Sequence, residues 1–219
     1  EDKWIISTVN SAAAEITANM EKFELALAAQ KIYDLIWNNF CDWYIELVKS
    51  RLYGDDDADK EVARYVLVRV LKDLLKLLHP FMPFITEEIW GFLPHNDSEK
   101  DAENEKGYLI RQSWPVYSDG MKFEEEEAVI EAAMDAIRTV RNIRAEAEAA
   151  PSKKVNAAIL AEGAAAERLK KAEHHIKSQA NVAEITFISD KSELPEEVMS
   201  GVITDAEIFI NMDELMDYN

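Results

Sequence analysis

The run His79-Pro80-Phe81-Met82-Pro83-Phe84-Ile85-Thr86-Glu87-Glu88-Ile89-Trp90 constrains this chain more than any other stretch. Each proline fixes φ and lacks an N–H donor, so the apolar helical pattern that runs into His79 must break before a new one opens. Five large apolar side chains, Phe81, Met82, Phe84, Ile85 and Trp90, flank the break. They predict a rigid, buried corner between two helices. Thr86 is placed to cap the second helix, with Glu87 and Glu88 in its first turn. By itself this corner carries no chemistry.

Helical periodicity surrounds it. A first helix is expected over about residues 3–20. Residues 24–50 carry two apolar stripes, one through Leu25, Ala28, Ile32, Ile36, Trp43 and Leu47, the other through Tyr33, Trp37, Phe40, Tyr44 and Val48. Two stripes predict burial on two sides, with a thin polar edge at Lys31, Asp34, Asn38, Asp42 and Lys49. A third helix is expected over 58–78 and a shorter one over 84–93. Residues 94–122 read as a long connection, and 124–149 as another helix bearing Arg138, Arg141 and Arg144 along one flank. After Pro151 the period changes, with strands expected at 154–161, 182–188 and 202–210 around a helix at 164–178. The fold class expected is mainly α, an antiparallel helical bundle with a small C-terminal α/β appendage. The domains are expected at 1–122 (bundle and connecting loop) and 123–219 (long helix and appendage).

Composition narrows the function. A hydrophobic share of 48% supports a packed core, and Cys41, the single cysteine, allows no intrachain disulfide and fits a reduced, cytoplasmic setting. No apolar run reaches the roughly 18 residues that span a membrane. The search for a catalytic centre fails. No Glu or Asp stands three residues before a histidine, and there is no His-Glu-x-x-His, no paired Cys and no Gly-rich phosphate loop. His79 reads as a core or helix-terminal histidine, and Cys41 as a buried, inert thiol. The aromatics Trp37, Phe40, Trp43 and Tyr44 read as core packing before they read as a base-stacking platform. The net charge of −19 weighs against nucleic acid. However, the acid is clustered and exposed charges are screened beyond about 8–10 Å, which leaves room for basic faces. Arg69, Lys72 and Lys76 share one helical face that suits a solvated surface and a phosphate contact equally.

The corner, together with Ile36-Trp37-Asn38-Asn39-Phe40-Cys41-Asp42-Trp43-Tyr44-Ile45-Glu46, resembles the anticodon-binding region of class I aminoacyl-tRNA synthetases of the valine, isoleucine and leucine group. The latter stretch, with Asp2-Lys3-Trp4-Ile5-Ile6-Ser7 and Arg141-Asn142-Ile143-Arg144-Ala145-Glu146, looks most like the valine branch. The likeness runs from residue 2 to about 190 and weakens beyond. It implies a parent enzyme that joins valine to tRNA with ATP and Mg²⁺. The family's HIGH and KMSKS signatures and its editing domain do not occur here, so no catalytic residue and no cofactor are expected in this chain. The implied partners are the anticodon arm of a valine tRNA and the catalytic, editing and coiled-coil parts of the same polypeptide. The coil would begin about where this chain stops. No membrane or DNA partner is implied. On this reading Arg138, Arg141 and Arg144, with Lys49 and Arg51, contact the anticodon arm. Lys22 and Phe23 supply a stacked base contact, and Lys153 and Lys154 add charge where the appendage begins. The same module of an isoleucine or leucine enzyme, and a helical protein-interaction module without RNA, stand as alternatives.

Overall fold

The computed structural model describes residues 1–101, 104, 107–150 and 153–215. The expected junction at Pro151-Ser152 and the end of the chain lie outside them. The chain divides into two compact units, Glu1–Glu124 and Glu125–Asn219.

The first unit is helical. Helix α1 (Asp2–Glu21) turns at Lys22 into α2 (Leu25–Asp34), which continues through a π-helical stretch (Leu35–Tyr44) into α3 (Ile45–Leu52). Helix α4 (Asp57–Leu78) returns antiparallel, its N-terminus capped by the Asp56 carboxylate, which accepts from the Ala58 and Asp59 N–H groups. The core gathers Trp4, Ile5 and Ile16 of α1, Ile32 and Leu35, Tyr44, and Leu74 and Leu77 of α4.

The π segment explains a departure from expectation. Its i→i+5 bonds widen the turn, so the second apolar stripe does not keep one angle to the core along the run. Phe40, Tyr44 and Val48 of that stripe are buried, but Tyr33 is 56% and Trp37 52% exposed.

The double-proline corner also differs from its expected form. Helix α5 runs Pro83–Trp90 with Pro83 at its start, so Thr86 lies inside it and cannot be its cap. The Thr86 hydroxyl donates to the Met82 carbonyl at 2.8 Å and, 2.7 Å from His79 Nδ1, accepts from that ring. Glu87 does not serve the helix start alone: its Oε1 accepts the Leu109 N–H at 2.8 Å and fixes the long connection to α5. Only Trp90 of the five flanking apolar residues is buried, against Leu75 and Leu109, whereas Phe84 is 91% exposed.

The second unit overturns the expected fold class. Residues 125–219 are not a small appendage on a bundle but an α/β unit with a four-stranded mixed sheet. Helix α6 (Glu124–Glu146) leads to β1 (Val155–Ala161), α7 (Gly163–Lys171), α8 (Glu173–Ala180), β2 (Val182–Ile188), β3 (Val198–Ile203), β4 (Ala206–Asn211) and α9 (Met212–Leu215). The sheet order is β2-β1-β4-β3, with β1 and β2 parallel and the other pairs antiparallel. The strand expected at 202–210 is two strands. Thr204 and Asp205 close a hairpin between the paired Ile203 and Ala206, with Asp205 at φ 59. Asp is one of the few residues that tolerate this left-handed region. Helix α6 lies close on the sheet: a Cβ at Gly201 of β3 would sit 2.4 Å from Thr139 Cγ2. Only glycine fits that approach undisturbed.

Candidate nucleic-acid interface

The corner between α1 and α2 has an unusual occupant. The Glu24 N–H donates to the Asn19 carbonyl at 2.9 Å and the Phe23 N–H to the Met20 carbonyl at 3.0 Å. This bonding closes a helix with its next residue in the left-handed region, a place normally taken by glycine. Here it is Phe23, at φ 61. A left-handed L-residue costs about 1–2 kcal/mol, and packing does not offset it, because Phe23 is 86% exposed. Lys22 beside it is also exposed.

The outer face of α2 continues from this corner. Tyr33 and Trp37, four residues apart, hold their rings 6.3 Å centre to centre, tilted by 47°. Beside them Asp34 Oδ1 accepts from Gln30 Nε2 and from Asn38 Nδ2, both at 3.1 Å. Open rings next to an ordered row of carboxylate and amide groups offer stacking surface and hydrogen-bonding edges together. Nothing here is a nucleophile. Cys41 is half-buried, and burial, followed by the charge of Asp42, raises its thiol above the ordinary value.

Lys49 and Arg51 stand elsewhere. The helical run from Leu25 to Leu52 is about 40 Å long, and Phe23 and Arg51 flank opposite ends of it. Arg51 is engaged by the protein. It meets Glu1 and Asp2 at 2.7 Å each and Asp59 at 2.7 Å, and is only 21% exposed. The Asp59 hydrogen bond is the largest influence on its guanidinium. Burial opposes it, and the Asp2 and Glu1 bonds add to it, so the pKa is raised further. Asp2 also accepts from the Tyr44 hydroxyl at 2.9 Å. Arg51 therefore ties the start of α1 to α3 and α4. Lys49 pairs with Glu46 and stays half exposed.

In the second unit the arginine row of α6 divides. Arg144 is 7% exposed. Its Nη1 donates to the carbonyls of Ala180 (3.1 Å) and Asn181 (3.2 Å), and its Nη2 to those of Ala150 (3.0 Å) and Lys153 (2.7 Å). It holds the end of α8 and the entry to β1. Arg141 forks onto the Gln179 carbonyl through Nε (3.2 Å) and Nη2 (2.8 Å) but remains exposed. Arg138 pairs with Asp135 at 3.1 Å and is open to solvent. Lys153 is half-buried and Lys154 exposed.

Residues 2–159 match the anticodon-binding domain of tRNA ligases. The chain belongs to that family. Among relatives of this anticodon-binding domain, the valine–tRNA ligase of Clostridium acetobutylicum is 41% identical over 216 residues, that of Clostridium tetani 42% over 217, and that of Bacillus cereus 39% over 217. These alignments cover 99% of this chain and 23–24% of each relative. The chain thus spans about a quarter of the length of those ligases.

Within the anticodon-binding domain, sequence reasoning missed Gln30, Tyr33 and Trp37 as surface groups. The polar edge at Asp34 and Asn38 was the available signal: it marked the open side of the helix, and the rings next to it turn out with it. No helix among the described residues is long and apolar enough to cross a membrane.

Proposed function

We propose that this chain reads the anticodon arm of a valine-accepting tRNA for a valine–tRNA ligase. The observation that carries this reading is Phe23, an exposed aromatic ring held in a left-handed conformation where glycine would be unstrained. Backbone strain without packing return is characteristic of functional positions. Anticodon bases are single-stranded, can be splayed out, and are gripped by aromatic stacking and read by hydrogen bonds on their edges. Phe23 and Lys22 provide one such grip. Tyr33 and Trp37, with Gln30, Asp34 and Asn38, provide the reading face.

The chemistry of that face suits the substrate. Valine anticodons end in adenine followed by cytosine, and both carry exocyclic amino donors. Asp34 is an acceptor, and the amides beside it both donate and accept. The net charge of −19 is compatible with this, because base reading needs acceptors as well as cations. Lys49, Arg138, Arg141 and Lys154, which are exposed, and Lys153, which is half-buried, are the cations expected at phosphates in their own units. Amino-acid activation with ATP and Mg²⁺ belongs, in this reading, to catalytic parts of the polypeptide, in the cytoplasm. The module supplies remote binding energy that positions the tRNA.

The test is binding of a valine tRNA transcript at low salt, beside the same transcript with the adenine–cytosine pair of its anticodon changed to uracil–guanine. The expected result is a preference for the valine anticodon of about tenfold or more, since each mismatched base edge costs about 1–3 kcal/mol. Equal affinity for the two transcripts would overturn the reading.

A further inference from the structure

A groove of about 590 Å³ opens in the first unit between α4 and the segment 94–99. Its charge inverts that of the chain. The sequence has 24 Lys and Arg against 43 Asp and Glu, yet among the described residues Arg64, Arg69, Lys72 and Lys76 line the groove against the carboxylates of Asp73 and Glu99. The spacing of these cations keeps them on one side of α4 over about 18 Å.

The floor is fixed by the protein's own contacts. Lys72 Nζ donates to Glu99 Oε2 at 2.6 Å and lies 5.3 Å from the centre of the Trp90 ring. His95 Nε2 donates to the Trp90 carbonyl at 2.9 Å, and the two rings stand 4.9 Å apart. Lys76 lies 3.5 Å from Asp73. The walls are different. Arg69 Nη2 meets the thioether sulfur of Met121 at 3.1 Å, a weak acceptor, and pairs with no carboxylate among the described residues. Arg64 is exposed and pairs with no carboxylate among the described residues. Tyr65, next to Arg64 in the chain, is exposed and lines the same groove. Two guanidinium groups above a rigid floor, with an open ring beside them, form a site for a phosphodiester and its nucleoside.

We propose that this groove is a second RNA-binding site, in which Arg64 and Arg69 take backbone phosphates and Tyr65 supports a base or ribose. Such contacts position the RNA and carry no sequence information. The inference rests on the reading above only in naming RNA as the polyanion, and it concerns a different surface from the outer face of α2.

The experiment compares wild type with the double variant R64Q/R69Q across a salt series. The probes are the valine tRNA transcript, the same transcript with its anticodon changed, an unrelated RNA stem-loop, and tripolyphosphate as a free anion. Both arginines are exposed, so the fold should persist, which the far-UV spectrum checks. The expected result is weaker binding of all the RNAs by the same factor, with the slope of log K against log salt flatter by about two, one unit for each phosphate no longer neutralised. Anticodon preference should be unchanged in the variant. Unchanged affinity and slope for all the RNAs would overturn the groove even if wild type prefers the valine anticodon. Conversely, equal wild-type binding to all RNAs, weakened by R64Q/R69Q, would defeat anticodon reading and keep the groove. Wild type binding no RNA, or binding tripolyphosphate alone, would overturn it.

Discussion

The arginine row of α6 and the outer face of α2 exchange the roles their sequences suggest. The α6 row has the look of a nucleic-acid stripe, yet Arg144 is buried on four carbonyls and Arg141 is forked onto a fifth. The α2 face has the look of core, yet Tyr33 and Trp37 are open beside the row around Asp34. A cation in a sequence gives no sign of whether the fold will engage it. The proposed interface is marked instead by a group the fold leaves open at a cost, Phe23.

Arg144→Ala removes a charged donor from four carbonyls, three of which keep a second donor, the Lys153 N–H on Ala150, the Val155 N–H on Asn181 and Asn181 Nδ2 on Lys153. Each hydrogen bond to a charged group is worth about 1.5–3 kcal/mol. The expected loss is about 3 kcal/mol or more in urea unfolding of the second unit. Arg144→Lys should recover little of it, because an ammonium cannot fork to two sides. A loss below about 1 kcal/mol would return Arg144 to the free cations.

Glu99 offers a smaller and pH-dependent effect. Its burial acts to raise its pKa, but the hydrogen bonds from Lys72 and the Asn96 N–H, with the charges of Lys72 and His95, outweigh burial and hold it below the ordinary value. A carboxyl whose folded pKa is lowered stabilises the fold fully above its unfolded pKa, and that stability is lost as pH falls through the folded value. Glu99→Gln should therefore cost about 2 kcal/mol at neutral pH. The gap from wild type should close as pH falls below about 4.5, the ordinary value for this carboxyl. A gap that stays constant from pH 7 to pH 3 would contradict the assignment.

The parts legible in the sequence were those set by local pattern. The leucine and valine spacing of α4 gave its length almost to the residue, and the prolines gave the corner. Contacts distant in sequence were not legible. The carbonyls of Ala180 and Asn181 lie far along the chain from Arg144, and no spacing signals them. Nor did the apolar stripes signal the π stretch, which changes how many residues fill a turn and so which ring of Trp37 and Phe40 faces inward. The β3–β4 hairpin was hidden because its left-handed position is Asp205, without the Asn-Gly or Asp-Gly pair that usually marks such a turn. For the candidate interface, Phe23 and Lys22 could be picked out as an aromatic and a cation in a turn. The strain that gives Phe23 its weight needed the backbone.

The most direct measurement is Phe23→Gly, followed by both unfolding and binding of the valine tRNA transcript. Glycine suits the left-handed corner, so stability should hold or rise by up to about 1 kcal/mol. Loss of one stacked base, worth about 1–3 kcal/mol, should weaken tRNA binding by about 5- to 150-fold. A protein at least as stable that binds its tRNA less well would identify the strain as held for RNA. Unchanged affinity in a protein of equal or greater stability would contradict the account.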